Sequence, residues 1–137
     1  MNYIFSAIFL YFFLGFLLYI FQRRIVFNKS GHPGAPKDYN LDNTEEVYIK
    51  TEDNLKLLSW YHKGNNSLPL LVYFHGNSFH IGDRAYRIQR YIKKNWSVLL
   101  VSWRGFGGNE GNPTEKNLYK DAEAVLKWIK NNTEFKF

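Results

Sequence analysis

The chain has 137 residues, enough for one ordinary domain, and contains no cysteine, which excludes a disulfide scaffold and a cysteine metal site. Its net charge is +6, from 18 basic and 12 acidic side chains, and the basic residues do not form one run. A nucleic-acid-binding surface needs a clustered basic stripe, so we expect no nucleic-acid partner.

The first predicted element is a transmembrane helix over residues 3–21. This run carries no charge, and a helix of that length reaches roughly 28 Å, close to the hydrocarbon thickness of a bilayer. No basic residue precedes it and no small-residue cleavage site follows, which argues against a cleaved signal peptide. Arg23 and Arg24 come next, and the positive-inside bias then predicts a single-pass membrane protein with a cytoplasmic soluble part. The lipid bilayer is the partner expected for residues 3–21.

Composition divides the chain into three parts. Residues 1–24 form the anchor and its basic flank, residues 25–44 a linker, and residues 45–137 a partial α/β domain. Glycine and proline interrupt any regular pattern in the linker, at Gly31, Pro33, Gly34 and Pro36.

The third part alternates between strand and helix patterns. Residues 47–50 and 55–62 predict two antiparallel strands joined by a turn. Residues 70–74 and 98–101 are short apolar runs, typical of strands buried on both faces. Helical spacing separates these two runs, at Ile81, Ala85, Ile88 and Ile92.

A second helix follows the last strand. Asn112 suits its cap, Pro113 its first position, and Glu115 completes a capping-box arrangement. Strand, helix, strand and helix in this order predict an α/β fold with a parallel sheet and right-handed crossovers.

The candidate site follows the strand over residues 70–74, where the chain reads His75-Gly76-Asn77. In open α/β sheets, ligands bind beyond the carboxyl ends of the strands. Glycine at position 76 is expected to let the backbone turn sharply and bring peptide N–H groups close to a ligand.

Several segments in this order resemble one family. An apolar strand running into His-Gly-x is similar to the third strand of α/β-hydrolases, and residues 98–111 are similar to the stretch after their fourth strand. Here Ser102-Trp103 stands for the usual Asp-Tyr, and Asn109 for a frequent serine. The nearest branch is the membrane-anchored, serine aminopeptidase-like one, which the segments Arg23 to Phe27 and Leu57 to Tyr61 also fit.

The resemblance implies a serine hydrolase acting on a small-molecule ester, thioester or amide, with no cofactor and no metal. It implies that the backbone N–H of Asn77 serves the oxyanion hole, or that of Ser78 if the register differs by one. Gly76 would form the loop there, and His75 would support it structurally.

The nucleophile elbow of that family, G-x-S-x-G, is not in this sequence. Gly76 to His80 imitates it, but a histidine in place of the last glycine cannot permit the close packing at the turn, so Ser78 is rejected as nucleophile. We therefore expect the first half of an α/β-hydrolase, truncated before the nucleophile-elbow strand and inactive alone. The alternative is a non-catalytic membrane-anchored module that pairs with a partner through an open strand edge.

Four other polar residues receive structural interpretations. His80 and Asp83 could join His75 in a metal site, but a solvated loop is favoured. Arg104 is expected to hold the glycine-rich turn through backbone carbonyls. Asp121 is expected at the surface of the last helix or in its capping network.

Overall fold

The computed structural model describes residues 2–29 and 31–135; Met1, Ser30, Lys136 and Phe137, which include both ends of the predicted domain ranges, lie outside the described residues. The helices are α1 (Asn2–Val26), α2 (Ala85–Ile92) and α3 (Glu115–Asn132), with short 3-10 turns at Pro36–Tyr39 and Ile81–Arg84. The strands are β1 (Asn28–Lys29), β2 (Thr44–Lys50), β3 (Lys56–His62), β4 (Leu70–Phe74), β5 (Ser78–Phe79) and β6 (Ser97–Val101). The predicted α/β class, an apolar N-terminal helix followed by a partial sheet, is confirmed.

The main sheet has four strands in the order β2-β3-β6-β4. The pairs β2–β3 and β3–β6 are antiparallel, whereas β4 and β6 run parallel, with Leu70 opposite Ser97 and Phe74 opposite Val101. Parallel neighbours need a crossover, and the chain supplies it through α2. Among the described residues β6 is the only strand that pairs with β4, so β4 lies at an edge of the sheet.

Two apolar clusters cover the two faces of the sheet. Because successive side chains of a strand point to opposite faces, Val98 and Leu100 pack towards α2, and Leu99 and Val101 towards α3. Every residue of β6 is buried, as expected for a strand covered on both sides.

The apolar part of helix α1 is not covered by the rest of the described chain. Within Tyr3–Val26, an 18-residue stretch has a mean hydropathy of 2.4, and 0% of that stretch is buried. Its length and composition suit membrane association. The helix extends past the uncharged run, so that Arg23 and Arg24 lie in its last turn.

The segment between α1 and β2 packs against the domain. Leu41 is buried, and the ring of Tyr39 lies 5.4 Å from that of Trp60 in β3. The Tyr39 carbonyl accepts a hydrogen bond from the Gln89 side chain of α2 at 3.0 Å. The glycines and prolines of this segment thus coincide with irregular backbone. Part of that segment, at Tyr39 and Leu41, nevertheless packs in the core.

The start of α3 differs from the prediction. Thr114 caps the helix, because its hydroxyl accepts the Asn117 N–H at 3.3 Å. Asn112 as the cap is wrong, and so is the capping box with Glu115, since the third helical position is Asn117. Proline at 113 disfavours helical backbone at the residue before it, and Thr114 is itself extended. The Asn112 side chain instead accepts a hydrogen bond from Lys29 at 3.3 Å.

Candidate functional site

The candidate site lies beyond the carboxyl end of β4, where the loop after β4 meets the loop after β6. His75 is buried, whereas Gly76 and Asn77 are exposed. The parallel pairing of β4 with β6 brings both loops to the same edge of the sheet. This is the edge at which open α/β sheets bind ligands.

His75 joins the two loops. Its Nδ1 lies 2.7 Å from the Gly76 carbonyl oxygen, and its Nε2 accepts the backbone N–H of Trp103 at 3.3 Å. The Trp103 indole N–H donates to the His75 carbonyl at 2.8 Å. These partners assign the proton to Nδ1, because a carbonyl can only accept. Both ring nitrogens are therefore engaged in structural contacts.

The environment of His75 favours its neutral form. Burial lowers its pKa to about 4, helped by the positive charge of Arg84 and by His80, and opposed by the hydrogen bond to Gly76. The ring also contacts Phe106 edge to face at 5.1 Å. At neutral pH the imidazole is uncharged.

The side chain and the carbonyl of Asn77 both form hydrogen bonds, whereas its backbone N–H forms none with the described residues. Its side-chain amide donates to the Val26 carbonyl at 2.9 Å, and its own carbonyl accepts the Asn28 N–H at 3.2 Å. In the part of the chain that the structure describes, no hydrogen bond uses the Asn77 N–H. The segment after α1 is thus attached directly to the loop that carries the candidate oxyanion donor.

The next two residues continue this attachment. Ser78 and Phe79 form β5, which pairs in parallel with Asn28 and Lys29 of β1. Phe79 adopts a φ of +64°, a left-handed conformation that is unusual for a bulky side chain and is found at functional sites.

Gly76 lies in the loop with open space in front of it. Gly76 does not adopt a positive φ, and a Cβ there would meet no atom within 4 Å. Glycine at this position leaves open space in front of the loop.

Asn109 holds the loop after β6. Its side-chain oxygen accepts the Leu58 N–H of β3 at 2.9 Å, and its side-chain nitrogen donates to the carbonyls of Ser102 at 2.9 Å and Trp103 at 3.2 Å. The asparagine that departs from the family pattern therefore fixes the backbone of Trp103, whose N–H contacts His75.

Arg104 lies behind this loop in a buried ion-pair network. Its guanidinium is 2.7 Å from a carboxylate oxygen of Asp53 and 2.6 Å from one of Asp121. The expectation that Arg104 binds backbone carbonyls is wrong, and so is the surface position of Asp121, which is fully buried. The hydrogen bonds from Arg104, and then from Thr51, hold the pKa of Asp53 well below its usual range.

Helical spacing could have revealed the position of Asp121. It precedes Val125 by four residues and follows Leu118 by three, so it lies on the apolar stripe of α3. A carboxylate on a buried stripe needs a cationic partner.

The residues considered for a metal do not form a ligand set. His80 Nδ1 lies 3.1 Å from Asp83 Oδ2, but both nitrogens of His75 are engaged elsewhere. Within residues 2–29 and 31–135, no group of three or more His, Asp or Glu side chains could hold a metal ion.

No protein-family model matches this sequence. The chain is similar to curated proteins: 28% identical over 127 residues to the α/β hydrolase domain-containing protein WAV2 of Arabidopsis thaliana, 29% over 122 residues to an uncharacterized membrane protein of Saccharomyces cerevisiae, and 27% over 119 residues to the lysophosphatidylserine lipase ABHD12 of Danio rerio. These matches cover 86%, 85% and 69% of the chain, but only 41%, 43% and 30% of the relatives. The chain thus spans less than half the length of the curated relatives it matches.

Two solved structures are also similar to this chain over part of their length. An esterase of Pyrococcus furiosus superposes with a TM-score of 0.60 at 26% identity, covering 77% of this chain and 42% of the esterase. An α/β hydrolase of Vibrio vulnificus superposes with a TM-score of 0.56 at 29% identity, covering 68% of this chain and 32% of that protein.

Proposed function

Because this chain belongs to the α/β-hydrolases by sequence and by fold, we propose that it supplies the oxyanion-hole side of a membrane-anchored serine hydrolase. In this proposal the Asn77 N–H binds the oxyanion, with the Ser78 N–H as the alternative donor. The nucleophile lies outside these residues, because their sequence contains no G-x-S-x-G.

The state of Asn77 carries the proposal. Its side chain and carbonyl are bound, its N–H has no partner among the described residues, and it lies at the carboxyl end of β4. A donor that is already fixed in place stabilises a developing oxyanion without reorganisation at the moment of reaction. The open space in front of Gly76 leaves room for the substrate carbonyl.

His75 is the positioning residue in this proposal. Its contacts with the Gly76 carbonyl and the Trp103 N–H fix the loop before Asn77. With both nitrogens engaged and a pKa of about 4, it is not available as the general base. In this proposal the base and the acid of the triad lie, like the nucleophile, outside residues 1–137.

The names of similar proteins point to the substrate class. One relative is named a lipase and one solved structure an esterase, so an ester is the first substrate to test, before thioesters and amides. Helix α1 would anchor the enzyme as a single-pass protein, with the soluble part in the cytoplasm by the positive-inside bias of Arg23 and Arg24.

Labelling with a broad fluorophosphonate probe tests the catalytic proposal. A product of the same gene that continues past residue 137 should be labelled, and the 137-residue chain should not. Labelling of the 137-residue chain that disappears in Ser78→Ala would show that rejecting Ser78 as nucleophile was wrong. If neither species is labelled, the hydrolase proposal fails.

Substitution by proline tests the oxyanion donor in the labelled product. Asn77→Pro removes the N–H and should lower the rate of ester hydrolysis by about 10² to 10³. Asn77→Ala is the matched control, since it loses the amide contact to Val26 but keeps the N–H. A large loss in Ser78→Pro with none in Asn77→Pro would transfer the role to Ser78, and no loss in either would refute it.

The free edge of β4 supports a second candidate function, a non-catalytic module that binds a partner strand. In the described sheet β4 pairs on one side only, and an exposed apolar edge is a template for strand addition. A proline at position 72 would block such pairing, so loss of a co-purifying partner in Val72→Pro, with no loss in Val47→Pro of β2, would favour this function.

A further inference from the structure

The end of α1 and the loop before α3 enclose a basic pocket with a volume of about 580 Å³. Its charged side chains are Arg23, Arg24 and Lys29, and its other lining residues are Phe27, Asn28, Asn112 and Pro113. We propose that this basic pocket binds the phosphate headgroup of an anionic phospholipid. The proposal is independent of catalysis and goes beyond the proposed function.

The three positive charges of the pocket have no acidic partner among the described residues. In residues 2–29 and 31–135, no Asp or Glu lies within ion-pair distance of these side chains. Among the described residues, the Lys29 ammonium has one hydrogen-bond partner, the neutral Asn112 side chain, at 3.3 Å. Guanidinium groups match phosphate geometry in pairs of hydrogen bonds, so the pocket has the donors that a phosphate needs.

The helix end does not oppose an anion strongly. The carboxyl end of a helix carries about half a negative charge on its free carbonyls. Here the Arg23 carbonyl accepts the Phe27 N–H at 2.9 Å, and the Val26 carbonyl accepts the Asn77 amide at 2.9 Å. Three full positive charges therefore dominate the pocket.

The position of the pocket selects a lipid over a free phosphate. Arg23 and Arg24 follow an uncharged run that matches the hydrocarbon thickness, which places them at the depth of the headgroups. An apolar groove along α1, about 540 Å³ in volume, is lined by Leu14, Leu17, Leu18 and Phe21 and shares Arg24 with the basic pocket. A lipid could place its phosphate in the pocket and an acyl chain in the groove.

The test uses the full chain in zwitterionic detergent micelles, titrated with a fluorescent phosphatidic acid and followed by fluorescence anisotropy. Lys29→Gln should weaken binding about fivefold and Arg23→Gln/Arg24→Gln about thirtyfold, from the effect of each basic residue near an anionic surface. Lys29→Arg should retain binding. The matched control is Lys93→Gln/Lys94→Gln, which removes the same charge at two exposed lysines after α2 and should change the affinity less than twofold.

Three results would overturn the proposal. Equal affinity for fluorescent phosphatidylcholine would remove the requirement for an anionic lipid. An equal loss in the Lys93/Lys94 variant would indicate general attraction by net charge. Displacement of the lipid by an equimolar concentration of inorganic phosphate would indicate a site for a free anion. Lys29 lies outside α1, so its variant keeps the test valid if the arginine variant inserts poorly. The assay needs no nucleophile, so its result is separate from fluorophosphonate labelling.

Discussion

Acidification from pH 7 to pH 4 should destabilise the fold through His75. Burial lowers the pKa of this imidazole to about 4, whereas an unfolded chain has the ordinary value of about 6.5. Between these two values the unfolded state binds a proton that the folded state does not bind, so stability falls as the pH falls. At 1.36 kcal/mol for each pH unit, the full difference corresponds to about 3.4 kcal/mol, of which about 3 kcal/mol is lost by pH 4.

The assay is the pH dependence of urea unfolding of the full chain in detergent micelles, for wild type and His75→Gln. Glutamine can donate to the Gly76 carbonyl and accept the Trp103 N–H, but it does not titrate. From pH 7 to pH 4 the wild type should therefore lose about 3 kcal/mol more than the variant. The carboxylates titrate in both proteins and cancel in the difference.

His32→Gln is the control for replacing a histidine by glutamine, because His32 is exposed. Parallel curves for wild type and His75→Gln between pH 4 and pH 6.5 would refute the reasoning. In that case the His75 imidazole would be open to water, and the tie between the two loops would not exist in solution.

Three further predictions concern the loop after β6 and can be measured by the same unfolding assay at pH 7. Asp121→Ala should lower the free energy of unfolding by about 3 kcal/mol, because it leaves the buried Arg104 guanidinium with one carboxylate. Glu123→Ala, at an exposed position of the same helix, should change it by no more than about 0.5 kcal/mol. Equal effects of the two substitutions would contradict the ion-pair network. Asn109→Ala should cost about 2 kcal/mol by removing three hydrogen bonds, and a neutral result would mean that water replaces them. Gly105→Ala should cost more than about 2 kcal/mol, since φ is +76° and the new Cβ would lie 2.8 Å from a backbone oxygen; wild-type stability would show that the turn can rearrange.

The sheet could be predicted because its signals are local. Each apolar run and each helical repeat lies within about ten residues, and the strand over 70–74 has the predicted bounds. The contacts around the site could not be predicted in this way. Asp53 and Arg104 are 51 residues apart, as are Val26 and Asn77, and no periodicity links such distant positions. The Thr114 cap depended on which of the two polar residues that flank Pro113 starts the helix.

The attachment of Asn77 to the end of α1 has a mechanical consequence. A helix that is longer than the local hydrocarbon thickness accommodates the mismatch by tilting. The Val26 carbonyl would move with such a tilt. It accepts a hydrogen bond from the Asn77 side chain, and the residues after it are joined to the same loop by the bond from the Asn28 N–H to the Asn77 carbonyl and by the pairing of β1 with β5. The geometry of that loop would then depend on bilayer thickness, either by moving with the helix or by losing these bonds when the helix moves too far.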